Sequence, residues 1–88
     1  MSYGLEFAEE ALAAFRKLES WLQEEALDEL ELLITHAANS NRYHLTMTIH
    51  DFVRERNGLR FYVFLTTVFD PPKHSLRIVS MGAYTRPI

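Results

Sequence analysis

The hydrophobic pattern of this chain changes period once. Up to residue 38 apolar side chains recur every three or four positions, and from residue 42 they alternate. In "AEEALAAFRKLE", Ala8, Ala11, Leu12, Phe15 and Leu18 form the stripe of a core-facing helix. A second helix is expected from "SWLQ" onward, with Leu22, Ala26, Leu30, Leu33 and Ala37 on one face and Leu27 and Ile34 beside them. "SWLQ" reads as a capping box, in which Ser20 accepts the Gln23 backbone N–H while the Gln23 side chain reaches back. Asn39, Ser40 and Asn41 end the helix, because asparagine tolerates the left-handed conformation and competes for backbone hydrogen bonds. The two helices form an αα-hairpin. Ahead of them, "SYGLEF" alternates loosely and suits a short strand.

After Arg42, "YHLTMTIHDFV" places Tyr43, Leu45, Met47 and Ile49 on one side and His44, Thr46, Thr48 and His50 on the other. "LRFYVFLTTVF" is rich in the aromatic and β-branched residues that strands favour. Neither Pro71 nor Pro72 can donate to a ladder, so "DPPK" forces a turn before a third long strand, "SLRIVSMGAY". The expected architecture is α+β in two layers: a short N-terminal strand, a helical hairpin and a three-stranded antiparallel meander, within one domain over 1–88.

The Asn57-Gly58 pair decides which sheet face is core. A two-residue turn would pair Ile49 with Thr66 and His50 with Leu65, mixing polar and apolar residues on both faces. A three-residue loop, Arg56-Asn57-Gly58 with Gly58 in a left-handed bulge, pairs Ile49 with Leu65, Asp51 with Val63 and Val53 with Phe61. It collects Leu45, Met47, Ile49, Val53, Phe61, Val63, Leu65 and Phe69 on one face, and is favoured because a one-residue slip would invert both faces. The other face then holds His44, Thr46, Thr48, His50, Phe52, Arg54, Arg60, Tyr62, Phe64 and Thr66. Arg54 and Arg60 stand side by side there, Glu55 faces the other way, and Arg56 is a solvated turn residue.

Composition narrows the possibilities. The chain has 88 residues, no cysteine and 48% hydrophobic residues, which suits one folded domain without disulfides or thiol chemistry. No run reaches the roughly 18 apolar residues of a membrane span, so a soluble, cytoplasmic protein is expected. The net charge of −3 conceals an asymmetry. Residues 1–31 hold nine acids against Arg16 and Lys17; residues 32–88 hold seven bases against Asp51, Glu55 and Asp70. The acidic half reads as a solvated helix face, and the basic half can attract phosphate locally.

Two arginines opposite each other on a sheet need an anion between them. Guanidinium forks match phosphate oxygens, and the neighbouring rings offer stacking surface for bases, which together suit an RNA-contacting sheet. The bland alternative is that each arginine reaches past its neighbour into solvent with its stem on a ring. His44 and His50 lie six residues apart on one strand face, about 20 Å at the strand rise, too far for one metal ion. Neither His36 nor His74 has a chelating partner at a suitable spacing, so no metal site is assigned. His50 is retained as a proton-transfer candidate because its unperturbed pKa lies near neutrality. No glycine-rich phosphate loop, nucleophilic triad or paired-carboxylate motif is present.

"YGLEFAEEALAAFRKL", "LQEEALDELELLI" and "GLRFYVFL…LRIVSMG" resemble the opening strand and first helix, second helix and last two strands of the RelE/ParE superfamily of bacterial toxins from type II toxin–antitoxin systems. The resemblance spans Tyr3 to about Tyr84 and includes the Gly-x-Arg of Gly58 to Arg60. It implies a helical hairpin packed on a curved antiparallel sheet. It also implies a toxin held silent by a cognate antitoxin that wraps it. RelE-like members cleave mRNA on the ribosome, whereas ParE-like members poison DNA gyrase. In the nuclease branch Arg60 would bind the scissile phosphate. Where those nucleases place basic residues on the preceding strand, this chain has Asp51 and Val53. In "GAYTR" Gly82 is kept, Tyr84 holds the arginine position, and Arg86 follows two residues later.

The reading is therefore a toxin or toxin-like component of a type II module, in its enzymatic form a metal-independent, cofactor-free endoribonuclease acting on mRNA at the ribosome. Arg60, His50 and Tyr84 are the catalytic candidates, and Arg54, Tyr62, Arg86 and Lys73 the nucleic-acid contacts. The alternative is a non-catalytic interaction protein of the same fold, gyrase-inhibitor-like or a degenerate toxin.

Overall fold

The computed structural model describes residues 4–38 and 46–88. Their elements run β1 (Gly4–Phe7), α1 (Glu9–Arg16), α2 (Ser20–Ala38), β2 (Thr46–Arg56), β3 (Leu59–Asp70) and β4 (Ser75–Pro87). One four-stranded sheet has the order β1-β4-β3-β2. β2, β3 and β4 form the expected antiparallel meander, and β1 joins the outer side of β4 in parallel, so the sheet is mixed. The stop at Asn39–Asn41 and the strand positions of Tyr43, His44 and Leu45 lie outside the described residues, as do the side chains of Ala37 and Thr46.

Both helices cover one face of the sheet. Ala11 from α1 and Leu22, Ala26 and Leu30 from α2 are buried against Phe61, Val63, Leu65 and Phe69 of β3 and Leu76 and Ile78 of β4. These are the positions that the three-to-four spacing of the helices and the alternation of β3 select. The junction between the helices is built differently from a capping box. The Gln23 N–H donates to the Glu19 carbonyl at 2.9 Å. The Gln23 side chain instead donates to the carbonyls of Phe15 and Leu18, both at 3.1 Å. One amide thereby satisfies carbonyls that the end of α1 leaves without helical partners.

The hairpin between β2 and β3 overturns the expected register. The turn has two residues, with Asn57 at φ 54° and Gly58 at φ 75°. Two consecutive left-handed residues make the turn whose twist matches a tight hairpin, and Asn-Gly is its preferred sequence. Ile49 pairs with Thr66, His50 with Leu65, Phe52 with Val63 and Glu55 with Arg60. The faces of β2 are thus opposite to those expected. Phe52 is buried at 6% exposure, while Met47 and Ile49 are 68% and 80% exposed and Val53 also lies on the surface. Arg54 and Arg60 lie on opposite faces, and Glu55 is the cross-strand partner of Arg60.

Polar residues on the inner face of β2 are tolerated because α2 answers them. Arg54 donates from Nη2 to Glu29 Oε1 at 2.7 Å and from Nε to Glu25 Oε2 at 3.3 Å. His50 Nε2 lies 3.2 Å from Glu29 Oε2, so Glu29 bridges two side chains of the edge strand. The Arg54 guanidinium also lies over the Phe52 ring, 4.9 Å from its centroid. Arg56 is not merely a turn residue: it lies 4.9 Å over the ring of Trp21, which meets Phe61 edge-on at 5.0 Å. Rings and carboxylates together clamp α2 to the hairpin.

Two measurements check this arrangement. Urea unfolding should show Phe52→Ala losing about 3–5 kcal/mol, as buried aromatic truncations do. Ile49→Ser, on the exposed face, should stay within about 0.5 kcal/mol; the opposite ranking would restore the bulged register. The hydrogen bond from Arg54 holds the Glu29 carboxyl below its ordinary value of 4.5, against an opposing effect of burial, with His50 adding to the lowering. A carboxylate with a depressed folded-state pKa stabilises the protein above the unfolded value and loses that contribution as pH falls through the folded one. Thermal stability should therefore drop below pH 4.5, and Glu29→Gln should flatten that part of the profile.

Candidate nucleic-acid interface

The face of the sheet turned away from the helices has no covering layer among the described residues. Strand alternation and the observed register place its side chains in rows. At the Asn57–Gly58 end the row is Glu55, Arg60, Arg86; the next is Val53, Tyr62, Tyr84; the third is Asp51, Phe64, Gly82. β3 reaches these positions by strict alternation, burying Phe61, Val63 and Leu65 on the inner side. A register shift between Thr66 and Thr67 lets β4 follow it.

The three rows interlock. The Tyr62 and Tyr84 rings stack with centroids 4.7 Å apart and planes at 12°. Phe64 approaches Tyr84 at 6.2 Å and lies across Gly82, where a Cβ would collide with its ring. The close approach of that ring is what glycine permits here. Arg86 lies 5.6 Å above the Tyr84 ring. Arg60 donates from Nε and Nη2 to Glu55 Oε1 at 2.9 and 2.7 Å. The Tyr62 hydroxyl and the Glu55 carboxylate hold the Arg60 guanidinium above its ordinary value. An aromatic ladder edged by two cations is therefore open to solvent, a combination suited to stacked bases and a phosphate.

The expected site residues fall into three places. Arg60, Tyr62, Tyr84 and Arg86 come together on the open face. His50 and Arg54 lie on the inner face, bound to Glu29, and are separated from Arg60 by the sheet. Lys73 belongs to the turn after β3, at the opposite end of the strand from Arg60, roughly 30 Å away at the strand rise. Two contacts of this face went unread in the sequence. Glu55 contacts Arg60 because the turn has two residues, which the Asn-Gly pair signals. Phe64 joins the ladder because Gly82 stands opposite it, a pairing that needs the register of β4.

A cleft of about 590 Å³ lies on the helix side, lined by residues that include Ala14, Leu18, Leu22, Phe61 and Ala83. Its charged lining groups are Glu10, Lys17 and Glu19, and it is separate from the aromatic ladder. No helix among the described residues is long and apolar enough to cross a membrane.

The sequence matches no protein-family model and no curated protein sequence. The fold does have solved counterparts. The intact E. coli RelBE toxin–antitoxin complex contains a chain that is 23% identical, with a TM-score of 0.61 over 92% of this chain and 95% of that one. A free-state variant of the E. coli toxin RelE, with two arginines replaced by alanine, is 25% identical, with a TM-score of 0.60 over 93% of this chain and 83% of that one. An archaeal RelE–RelB complex from Pyrococcus horikoshii contains a chain only 10% identical, yet with a TM-score of 0.56 over 92% of this chain and 93% of that one. Agreement across nearly the whole chain at such low identity reflects shared architecture, and this chain has the fold of the RelE toxin superfamily.

Proposed function

We propose that this protein is the toxin component of a type II toxin–antitoxin module, and that its open sheet face contacts RNA. The ladder of Arg60, Tyr62, Tyr84 and Arg86 on a RelE fold carries the reading. Its chemistry fits a single strand: unpaired bases present a face to the stacked tyrosines, and the guanidiniums meet the backbone. In an endoribonuclease acting on mRNA at the ribosome, the 2′-hydroxyl attacks the adjoining phosphorus and the P–O5′ bond breaks. A base removes the hydroxyl proton, an acid protonates the leaving oxygen, and cations stabilise the charge that develops on the phosphate. Arg60 and Arg86 are the cations available on this face, and Tyr84 is the proton carrier that shares it. His50, tied to Glu29 on the other side of the sheet, has no path to a phosphate held by Arg60. The partner is an antitoxin, as in the solved E. coli toxin–antitoxin complex.

A second reading, a non-catalytic interaction protein of the same fold, draws on a different observation. The β2 part of the open face carries Asp51 and Glu55, with Met47, Ile49 and Val53 exposed beside them. Such a border suits a protein surface better than a phosphate backbone.

Induced expression separates the two. The toxin reading expects growth arrest with ribosome-dependent mRNA cleavage, relieved by co-expression of the cognate antitoxin. Arg60→Ala should lower cleavage by about 10²–10³, the loss typical of removing one transition-state donor. Arrest that survives Arg60→Ala with mRNA intact would favour the interaction protein instead. His50→Ala should leave cleavage within about threefold of wild type, as expected of a residue outside the reacting geometry.

A further inference from the structure

The row at the turn end of the open face has an uneven charge. Arg60 and Arg86 are direct cross-strand partners, and like charges in that position repel. Glu55 relieves Arg60 from one side only, its single Oε1 accepting both the Nε and the Nη2 hydrogens. Among the described residues no carboxylate forms an ion pair with Arg86, which lies over the Tyr84 ring. Glu55 holds the Nε–Nη2 edge of Arg60 and the Tyr62 hydroxyl also bonds its guanidinium, so an incoming anion meets Arg60 already positioned, beside an Arg86 guanidinium with no carboxylate partner among the described residues. Glu55, Arg60 and Arg86 sum to one positive charge.

We infer that Glu55 positions Arg60 and selects the charge of the ligand, so that Arg60 and Arg86 take a phosphodiester monoanion in preference to a dianionic phosphomonoester or polyphosphate. The inference rests on the reading of this face as an RNA contact and names the group it accepts. A phosphodiester carries one negative charge and brings the row to neutrality with Glu55 in place. A terminal phosphate or pyrophosphate brings at least one more, and the excess falls beside the Glu55 carboxylate, where like charges disfavour each other. The internal linkages of a strand are thereby favoured over its phosphorylated ends, with the adjoining base on the Tyr62–Tyr84 stack. Asp51, two rows along on the same strand, extends the acidic border. A strand held by Arg60 and Arg86 thus follows β3 and β4 and does not spread over β2.

Glu55→Gln keeps an oxygen acceptor for Arg60 and removes only the charge. Binding should be measured at fixed salt for three probes: a short unstructured RNA with hydroxyl ends, the same RNA with a 5′-phosphate, and inorganic pyrophosphate. For the wild type the 5′-phosphate should add no affinity. Glu55→Gln should tighten pyrophosphate and the 5′-phosphorylated RNA about fivefold, the scale of one exposed charge pair. The hydroxyl-ended RNA should change by less than about twofold on the same scale. Adding Arg60→Ala should abolish the gain. An equal gain for all three probes, or none for any, would overturn the inference. If neither RNA binds while pyrophosphate responds as expected, the RNA reading fails and the selection by Glu55 stands.

Discussion

Two consecutive left-handed residues, Asn57 and Gly58, fix how β2 lies on β3, and the chemistry of both sheet faces follows from that pairing. A strand repeats every two residues, so one extra residue in the turn would exchange everything β2 presents to the helices for everything it presents to solvent. With the two-residue turn, Phe52 becomes the buried anchor of β2 and Glu55 arrives beside Arg60. With a three-residue loop, Arg54 and Arg60 would crowd one face with no carboxylate between them. The turn thus distributes the arginines, one to each side, each with its own acid.

That distribution also explains the charge asymmetry of the chain. Part of the acid in the first third is used internally, because Glu25 and Glu29 project from α2 onto Arg54 and His50 of the edge strand. These contacts are partly buried, and a hydrogen-bonded arginine–carboxylate pair in such a place is stronger than a solvated one. The half of α2 that reads as a solvated face therefore does two jobs. Glu24, Asp28 and Glu31 stay in solvent, while their neighbours on the helix hold the sheet.

The parts of the fold that packing alone dictates were legible. The helix stripes through Ala11, Leu22, Ala26 and Leu30 and the alternation of Phe61, Val63 and Leu65 came directly from spacing, because each of those elements buries one apolar face. β2 was misread because its inner face is not apolar. His50 and Arg54 occupy positions that a hydrophobic pattern assigns to solvent, and the acids that make them tolerable lie more than twenty residues away in sequence. The Asn-Gly pair held the right answer locally. Sorting polar from apolar residues along β2 points to the opposite register, because its inner face carries His50 and Arg54. Arg60 and Tyr62 share the open face by alternation along β3 alone, but that Tyr84 and Arg86 join them depends on the β3–β4 register.

The open face is in consequence divided along its length. On β3 and β4 it is aromatic and cationic; on β2 it is apolar and acidic. Backbone phosphate dominates the affinity of nucleic acid for protein, and the part of a polyanion that strays from Arg60 and Arg86 onto β2 meets Asp51. A duplex, which presents two backbones and buries its base faces, gains little from stacked tyrosines and meets the acidic border. A single strand gains from both features, because it can turn its bases to the rings while its backbone keeps to the basic side. On β2, Met47, Ile49 and Val53 are exposed beside Asp51 and Glu55, a border suited to contact of another kind. The division therefore gives one sheet two surfaces of different chemistry side by side.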